Sequence, residues 1–258
     1  MSPGRYIQLV DEMARMELRA DASRYLLGYV WWILEPALYV TVFYVVFKIV
    51  LNSGRGDFLV FLICGKFAFI WFSKSVTQAS NSIIANKGLI AKLDTPKSLF
   101  PMVIVQQSTY KQAAVFVLLF VMLVLFGYEV SWNWLWVIPL MVTNYLLILA
   151  CSFIGACLVC LIRDFKMVIS LAMIFLLFVS GIFWDVRALE DPAIANAILI
   201  FNPLAFLLDA YRQVLMYHSS PDIGHLFALM VGSALLVWVL VAVMRKANSL
   251  LALKALTS

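Results

Sequence analysis

Long apolar runs separated by short polar breaks dominate this sequence. Five of them lie at about 31–51, 58–84, 103–126, 134–161 and 223–244. Another begins after a charged break at Arg163 and ends at about Trp184. Because a helix needs about 20 mostly apolar residues to cross a bilayer, the pattern predicts an all-α integral membrane protein with six transmembrane helices.

The chain before the first run has a different pattern. Apolar residues recur at every third position, at Ile7, Val10, Met13 and Met16, with polar residues between them. This periodicity predicts an amphipathic interface helix on the membrane surface, within residues 1–30. Residues 31–246 then form the predicted six-helix transmembrane domain, and residues 247–258 form a predicted cytoplasmic tail.

Residues 185–222, before the last run, are mixed in character. Two apolar stretches, 194–201 and 204–215, are separated by Asn202 and Pro203. Each stretch is too short to cross a bilayer, so both are predicted to be short re-entrant or interfacial helices. Asp209 and Arg212 are three residues apart in the second stretch, and this spacing predicts an ion pair between them.

The composition agrees with a membrane protein. Of the 258 residues, 64% are hydrophobic and 13% are charged, whereas soluble domains have roughly 45–50% apolar and about 25% charged residues. The runs leave no room for a separate soluble domain. The net charge is +5, but the basic residues form short clusters between apolar runs rather than one face, so we do not expect nucleic-acid binding.

The basic clusters also predict the orientation. Twelve Lys and Arg residues lie in the N-terminal segment, the 86–101 connection, the break after residue 161 and residues 245–258. The alternate connections hold only three. Because basic connections stay in the cytoplasm, both termini are predicted to be cytoplasmic, and segment 185–222 is predicted to be external.

Motifs of common enzyme classes are absent from the sequence. It contains no GxxxxGK[ST] phosphate-binding loop, no HExxH and no GxSxG, and only two histidines. The four cysteines lie inside apolar runs without metal-ligand spacing to a histidine. We therefore expect no catalytic site, metal or cofactor in this chain. No internal repeat is visible, which favours a symmetric dimer over a pseudo-symmetric monomer.

Two lysines and one glutamate lie at membrane depth. Lys66 and Lys74, in the second predicted span, either extend their stems to a polar neighbour or give a positive lining for an anionic head group or polymer. Glu35, at the start of the first span, is either a local cap, a partner for the region around Arg24 or a residue with a direct role.

An aromatic stripe continues from Glu35. Tyr39, Phe43 and Phe47 recur at steps of four and share one helical face. Such a stripe serves either as a packing seam or as a pathway whose flat faces contact sugar rings. We predict the pathway, because aromatic surfaces contact a sliding polymer without the fixed hydrogen bonds that would hold one register.

Three parts of the chain carry a family pattern. The run 24–36 reads RYLLGYVWWILEP, the connection 81–101 contains NKGLI, and the NPL sequence at 202–204 precedes Arg212. In this order they resemble the LGxxWxxLEP start, the cytoplasmic connection and the NPL...R segment of permeases of polysaccharide ABC exporters, of the ABC-2 type. The stretch 92–101 departs from the phenylalanine-proline-arginine pattern of many relatives.

The resemblance implies a homodimer driven by a separate dimeric ATPase, which would bind the ATP. That ATPase would dock on the interface helix and on the coupling segment 86–101, at Asn86, Lys87, Lys92 and Asp94. Spans one and five would line a channel between the two copies, with lining residues Tyr39, Phe43, Phe47, Lys66, Phe175 and Phe178. The external region would be a gate that includes Asn202, Pro203, Asp209 and Arg212.

The expected function is export of a lipid-linked polysaccharide, O-antigen or capsular polysaccharide, across the bacterial inner membrane. An ABC-2 exporter of teichoic acid, lipid or drug is the alternative, because its span count and dimerisation would be alike. A membrane-embedded glycosyltransferase would need convergent acids or histidines, and the sequence offers too few on one side.

Overall fold

The computed structural model describes residues 3–50, 57–93 and 95–257, without the side chains of Pro3, Phe47, Lys48 and Val50. The described chain is built from helices and their connections. The first six helices are α1 (Pro3–Ser23), α2 (Trp31–Tyr44), α3 (Phe58–Ser80), α4 (Ser82–Ala85), α5 (Lys87–Ile90) and α6 (Leu99–Leu125). The next six are α7 (Val137–Leu161), α8 (Phe165–Val179), α9 (Pro192–Phe201), α10 (Pro203–Leu215), α11 (Ile223–Lys246) and α12 (Asn248–Thr257).

Shorter helical segments extend or join these helices. A π-helix, Val45–Val50, continues α2, and 3-10 helices lie at Gly28–Val30, Trp132–Trp136 and Val186–Ala188. Four helical stretches are long and apolar enough to cross a membrane: α3, α6, Trp132–Leu161 and α11. The count rises to six if α1 with α2, and α9 with α10, each form one bent span. The predicted all-α membrane architecture is confirmed, with four to six candidate spans.

The predicted break at Asn202 and Pro203 lies between α9 and α10. The Asn202 side chain accepts hydrogen bonds from the backbone N–H groups of Leu204 and Ala205, which caps α10, and Pro203 occupies the first helical position. The two helices meet at 106°. Each is too short to cross a bilayer alone, as the sequence predicts.

The predicted fifth span is shorter than expected. Helix α8 has 15 residues, which is about 22 Å at 1.5 Å per residue. The chain turns after Ser180, where Gly181 has a φ of +71° and a Cβ would lie 2.7 Å from the Val186 side chain. The predicted run to Trp184 is wrong by five residues, because Gly181 takes a conformation that ends a helix.

Helix α3 is the centre of the fold. It packs against α6, α7 and α10, and α7 also packs against α11. Large side chains of α3, including Phe67 and Trp71, are almost fully buried in the shared core. Helix α11, in contrast, exposes apolar side chains such as Phe227 and Trp238.

Contacts between helices define two ends of the molecule, which we call the lower end and the upper end. At the lower end, the Tyr6 hydroxyl hydrogen-bonds to Ser98, and the backbone N–H of Lys97 donates to Asn248 at 2.9 Å. The predicted tail is the helix α12, whose Leu251 side chain is buried against the core. At the upper end, Asn133 donates a hydrogen bond to the backbone carbonyl of His218. The first described helix, α1, and the last, α12, therefore both have contacts at the lower end.

Candidate functional site

A groove lies between α2, α3 and α8. It is a cavity of about 390 Å³. The lining residues are Tyr39, Lys66, Phe69, Ile70, Ser73, Lys74, Thr77, Ser170, Met173, Ile174 and Leu177. Helix α3 contributes the polar side chains of Ser73, Lys74 and Thr77 to this groove.

A second cavity, of about 600 Å³, which we call the vestibule, lies at the start of α3, beside the turn after α8 and the end of α10. It is lined by Asp57, Phe58, Phe61, Phe183, Trp184, Asp185, Ala188, Leu189, Met216 and Tyr217. The groove and the vestibule share no lining residue. The groove follows α3 from Lys66 to Thr77, which is about 16 Å, or about half the roughly 30 Å thickness of the hydrocarbon core of a bilayer.

Lys66 lines the groove and lies beside a residue of the vestibule. Its Nζ is 6.0 Å from the centre of the Phe43 ring and 5.9 Å from that of Phe183. Phe183 also lines the vestibule. Among the described residues, no carboxylate forms a salt bridge with Lys66. Aromatic faces attract a cation at this distance, so the ammonium group is held between two rings and not by an acid.

Lys74 has a carboxylate partner. Its Nζ forms a salt bridge with Glu35 on α2. Of the predicted alternatives for Lys74, contact with a polar neighbour is the one observed. Of those for Glu35, the partner is Lys74 and not the region around Arg24. Both side chains remain partly exposed, so this pair ties α2 to α3 without being buried.

The predicted channel residues are placed as follows. Tyr39 is 40% exposed and lines the groove with Lys66, and Phe43 lies beside Lys66. Phe175 and Phe178 on α8 are exposed and line none of the three described cavities, although the Phe178 and Phe183 rings are 5.9 Å apart. The side chain of Phe47 lies outside the described residues. The structure thus brings together Tyr39, Phe43 and Lys66.

A third cavity, of about 430 Å³, lies on the other side of α2. It is bordered by the end of α1 and by parts of α2, α3 and α6. Tyr39 and Lys74 line both this cavity and the groove. Lys111 of α6 and Asp21 of α1 form a salt bridge at its edge, with 2.6 Å between Nζ and Oδ2.

The predicted ion pair between Asp209 and Arg212 is wrong. Asp209 accepts hydrogen bonds from Arg187, at 2.8 to 3.0 Å, and from Gln213 at 2.6 Å. Arg187 lies in the connection before α9, and its hydrogen bonds with Asp209 raise its pKa. The prediction fails because α10 is buried on nearly all sides, so partners from other elements compete with the neighbour on the same helix.

Arg212 instead binds backbone carbonyls. Its guanidinium donates to the carbonyls of Phe61 at 3.0 Å, Gly181 at 2.8 Å and Ile182 at 3.2 Å. It also lies 3.5 Å from the centre of the Phe61 ring. Gly65 provides the space, because a Cβ there would lie 2.5 Å from Nη2 of Arg212. Arg212 therefore fastens α10 to α3 and to the turn after α8.

The other predicted gate residues belong to the same upper region. The Asn202 side-chain amide donates to Ser180 Oγ at 3.1 Å, so the α9–α10 corner is tied to the turn after α8. Pro203 begins α10. Arg187, Gly65 and Phe183 are residues that the sequence interpretation missed. The sequence does offer a signal for Arg187, because it is a charged residue just after a predicted span. There it entered only the count of basic residues that predicted the orientation.

The predicted coupling residues lie at the lower end. Lys87 begins α5, Lys92 follows it, and both are exposed, while Asn86 is half-buried. Asp94 lies outside the described residues. The neighbouring Ile90 is buried, and α5 packs against α12. The basic side chains are therefore presented on a short helix that is fixed to the rest of the fold.

Comparison with known proteins gives a consistent set of relatives. The family model for the ABC-2 type transporter matches residues 13–216. The chain is 24% identical over 234 residues to the O-antigen export system permease protein RfbA of Myxococcus xanthus, covering 91% of this chain and 90% of the relative. It is 27% identical over 214 residues to the protein of the same name from Klebsiella pneumoniae, covering 83% and 82%.

A further relative has a different cargo in its name. The chain is 26% identical over 219 residues to the polysialic acid transport protein KpsM of Escherichia coli, covering 80% of this chain and 81% of the relative. The alignments thus span most of both chains in each case.

Proposed function

Because this chain belongs to the ABC-2 type transporter family, we propose that it is the membrane-spanning permease of a polysaccharide exporter. The similar proteins named for O-antigen export and for polysialic acid transport support this cargo class. The proposed cargo is a lipid-linked polysaccharide, either O-antigen or capsular polysaccharide, and the proposed location is the bacterial inner membrane.

The single observation that carries the proposal is the groove along α3. It extends about 16 Å along α3 by helix rise, and it combines aromatic rings with hydroxyl groups. Flat aromatic surfaces suit the faces of sugar rings, and weak repeated contacts allow a polymer to leave each site after binding it. We propose that Tyr39, Phe43 and Lys66 contact the polymer as it passes.

The groove would be completed by a second copy of the chain. Helix α8 has no buried residue, and its exposed apolar side chains include Leu171, Ile174, Phe175 and Phe178. In a homodimer with two grooves facing each other, Phe175 and Phe178 would become part of the channel wall. The remaining predicted lining residue, Phe47, follows Phe43 by one helical turn in sequence.

Energy would come from a separate dimeric ATPase. The chain has no phosphate-binding loop, so hydrolysis of ATP requires a partner subunit. We propose that this partner docks on α1 and on the coupling segment 86–101, through Asn86, Lys87, Lys92 and Asp94. The upper region, with Asn202, Pro203, Asp209 and Arg212, would border the external exit.

Deletion and reconstitution test the proposal together. A bacterial strain without this chain should accumulate the polymer inside the cell, and export should return only when the chain and an active ATPase are both supplied. Export with an ATPase that cannot hydrolyse ATP would contradict the energy source. A deletion strain with unchanged surface polysaccharide, but with loss of another exported lipid or drug, would contradict the cargo.

Cysteine labelling tests the proposed orientation. Ser219 at the upper end and Ser249 at the lower end are both exposed, so a cysteine at either position can react without unfolding. In a cysteine-free background, an impermeant thiol reagent should label Ser219→Cys from outside intact cells and leave Ser249→Cys unlabelled. The reverse pattern would show that the termini are external.

A further inference from the structure

The third cavity lies at the corner between α1 and α2. The axes of these helices differ in direction by 98°, as expected where a surface helix meets a spanning helix. Tyr25, Trp31 and Trp32 border the cavity on this corner. Tyrosine and tryptophan at such a position are typical of the membrane–water interface, where lipid head groups lie. These residues place this corner of the cavity at head-group level, while Tyr39 and Lys74 in its wall are shared with the groove.

The charges around the cavity balance. Asp21 and Glu35 supply two carboxylates, while Lys74 and Lys111 supply two ammonium groups. They form two salt bridges, and all four side chains retain some exposure. Lys111 Nζ also lies 5.7 Å from the centre of the Trp32 ring. An anion alone would face two carboxylates, and a cation alone would face two ammonium groups. A ligand with both charges can bind beside both pairs with no charge left over.

Gln107 offers a polar group to this cavity. It lies on α6, is 7% exposed and lines the cavity. Its side chain forms no hydrogen bond with another described residue, and its amide is not among the fully buried polar atoms that lack a partner, so it is accessible from the cavity. In the same wall, Gln112 donates to the Phe67 carbonyl and Ser75 donates to Ser108, whereas Trp71 Nε1 is buried without a partner. A polar ligand in the cavity can therefore hydrogen-bond to Gln107.

We propose that this cavity binds the head group of a zwitterionic phospholipid. Its phosphate lies beside the two lysines, its ammonium group lies beside the two carboxylates, and Gln107 hydrogen-bonds to the phosphate or to an ester carbonyl. The volume, about 430 Å³, is within the range of about 300–1,000 Å³ typical of small-ligand pockets. The site shares Tyr39 and Lys74 with the groove, and its occupation would hold α1 at a fixed angle to α2.

Native mass spectrometry of the purified full-length chain in detergent tests the proposal. The probes are dioleoyl phosphatidylethanolamine, which is zwitterionic, and dioleoyl phosphatidylglycerol, which is anionic with the same acyl chains. The wild-type chain should bind the first at least about fivefold more tightly. Gln107→Leu should weaken that binding roughly three- to tenfold, the effect of one lost hydrogen bond. Gln106→Leu is the matched control and should change it less than about twofold, because Gln106 contacts Tyr145 and does not line the cavity.

A change in the preference between the two lipids, measured in a double variant, provides the second readout. Asp21→Asn with Glu35→Gln leaves the two lysines without carboxylates, so the preference should shift to phosphatidylglycerol. Equal binding of the two lipids by the wild-type chain would overturn the proposal, and so would an unchanged preference in this double variant. If a neutral oligosaccharide displaces phosphatidylethanolamine and loses its own binding in Gln107→Leu, the cavity is a sugar site and the lipid proposal is wrong.

Discussion

The close contact between Gly65 and Arg212 provides a test of the packing in the upper region, because a single added carbon atom at Gly65 should disturb it. Gly65→Ala would place a Cβ 2.5 Å from Nη2 and 3.1 Å from Cζ of Arg212. The guanidinium cannot move aside freely, because three backbone carbonyls and the Phe61 ring hold it. The substitution must therefore shift α10 away from α3 or break hydrogen bonds of a buried charged group.

The expected loss of stability follows from these contacts. Overpacking a core costs about 1–3 kcal/mol, and each hydrogen bond of a charged group contributes about 1.5–3 kcal/mol. If one such bond breaks as well, Gly65→Ala should lower the free energy of unfolding by about 3 kcal/mol. Unfolding of the purified chain by sodium dodecyl sulfate in mixed micelles measures this value.

Two control variants isolate the cause. Gly232 on α11 faces open space, and a Cβ added there would have no atom within 4 Å, so Gly232→Ala should be neutral or stabilise the chain by up to about 1 kcal/mol. In an Arg212→Met background the obstacle is gone, so adding Gly65→Ala should cost less than about 1 kcal/mol. A full loss of stability in that background, or none in the wild type, would refute the contact as the cause.

Three further substitutions test other contacts. Arg187→Met removes the main partner of Asp209, which is 6% exposed while Arg187 is 54% exposed, and should destabilise the chain in the same unfolding assay by about 2–3 kcal/mol. Lys74→Met breaks a partly exposed pair with Glu35 and should cost no more than about 1 kcal/mol. Leu251→Ala empties a buried position of α12 and should cost about 2–5 kcal/mol, with faster proteolysis at the C-terminus; unchanged proteolysis would contradict the packing of α12.

The local signals in the sequence predicted the helices well. Apolar run length identified α3, α6, α7 and α11, and the Asn202–Pro203 pair identified the break between α9 and α10, because capping and proline geometry act within a few residues. The end of α8 was mispredicted, since an apolar run does not reveal that Gly181 adopts a positive φ. Local pattern therefore gives the elements but not every boundary.

Contacts between distant residues were harder to predict. The partner of Asp209 is Arg187, 22 residues away, and that of Lys74 is Glu35, 39 residues away. The spacing of residues within one helix indicates only neighbours such as Arg212 as partners for Asp209. Because α10 is buried, Asp209 also contacts residues from other parts of the fold. The aromatic stripe did indicate that Tyr39 and Phe43 share a face, but not that Lys66 lies beside Phe43.

The passage of polymer along the α3 groove is tested most directly by Tyr39→Ala. Tyr39 is 40% exposed and lines the groove, so its loss should leave the folded chain and its ATPase association intact. Phe227→Ala is the control, because Phe227 is an exposed aromatic residue on α11 that lines none of the three cavities. With surface polysaccharide measured in a strain that lacks the wild-type chain, Tyr39→Ala should reduce export of long polymer at least about tenfold, the effect of about 1.4 kcal/mol, while Phe227→Ala exports normally. Normal export by a stably folded Tyr39→Ala variant would contradict the proposed path.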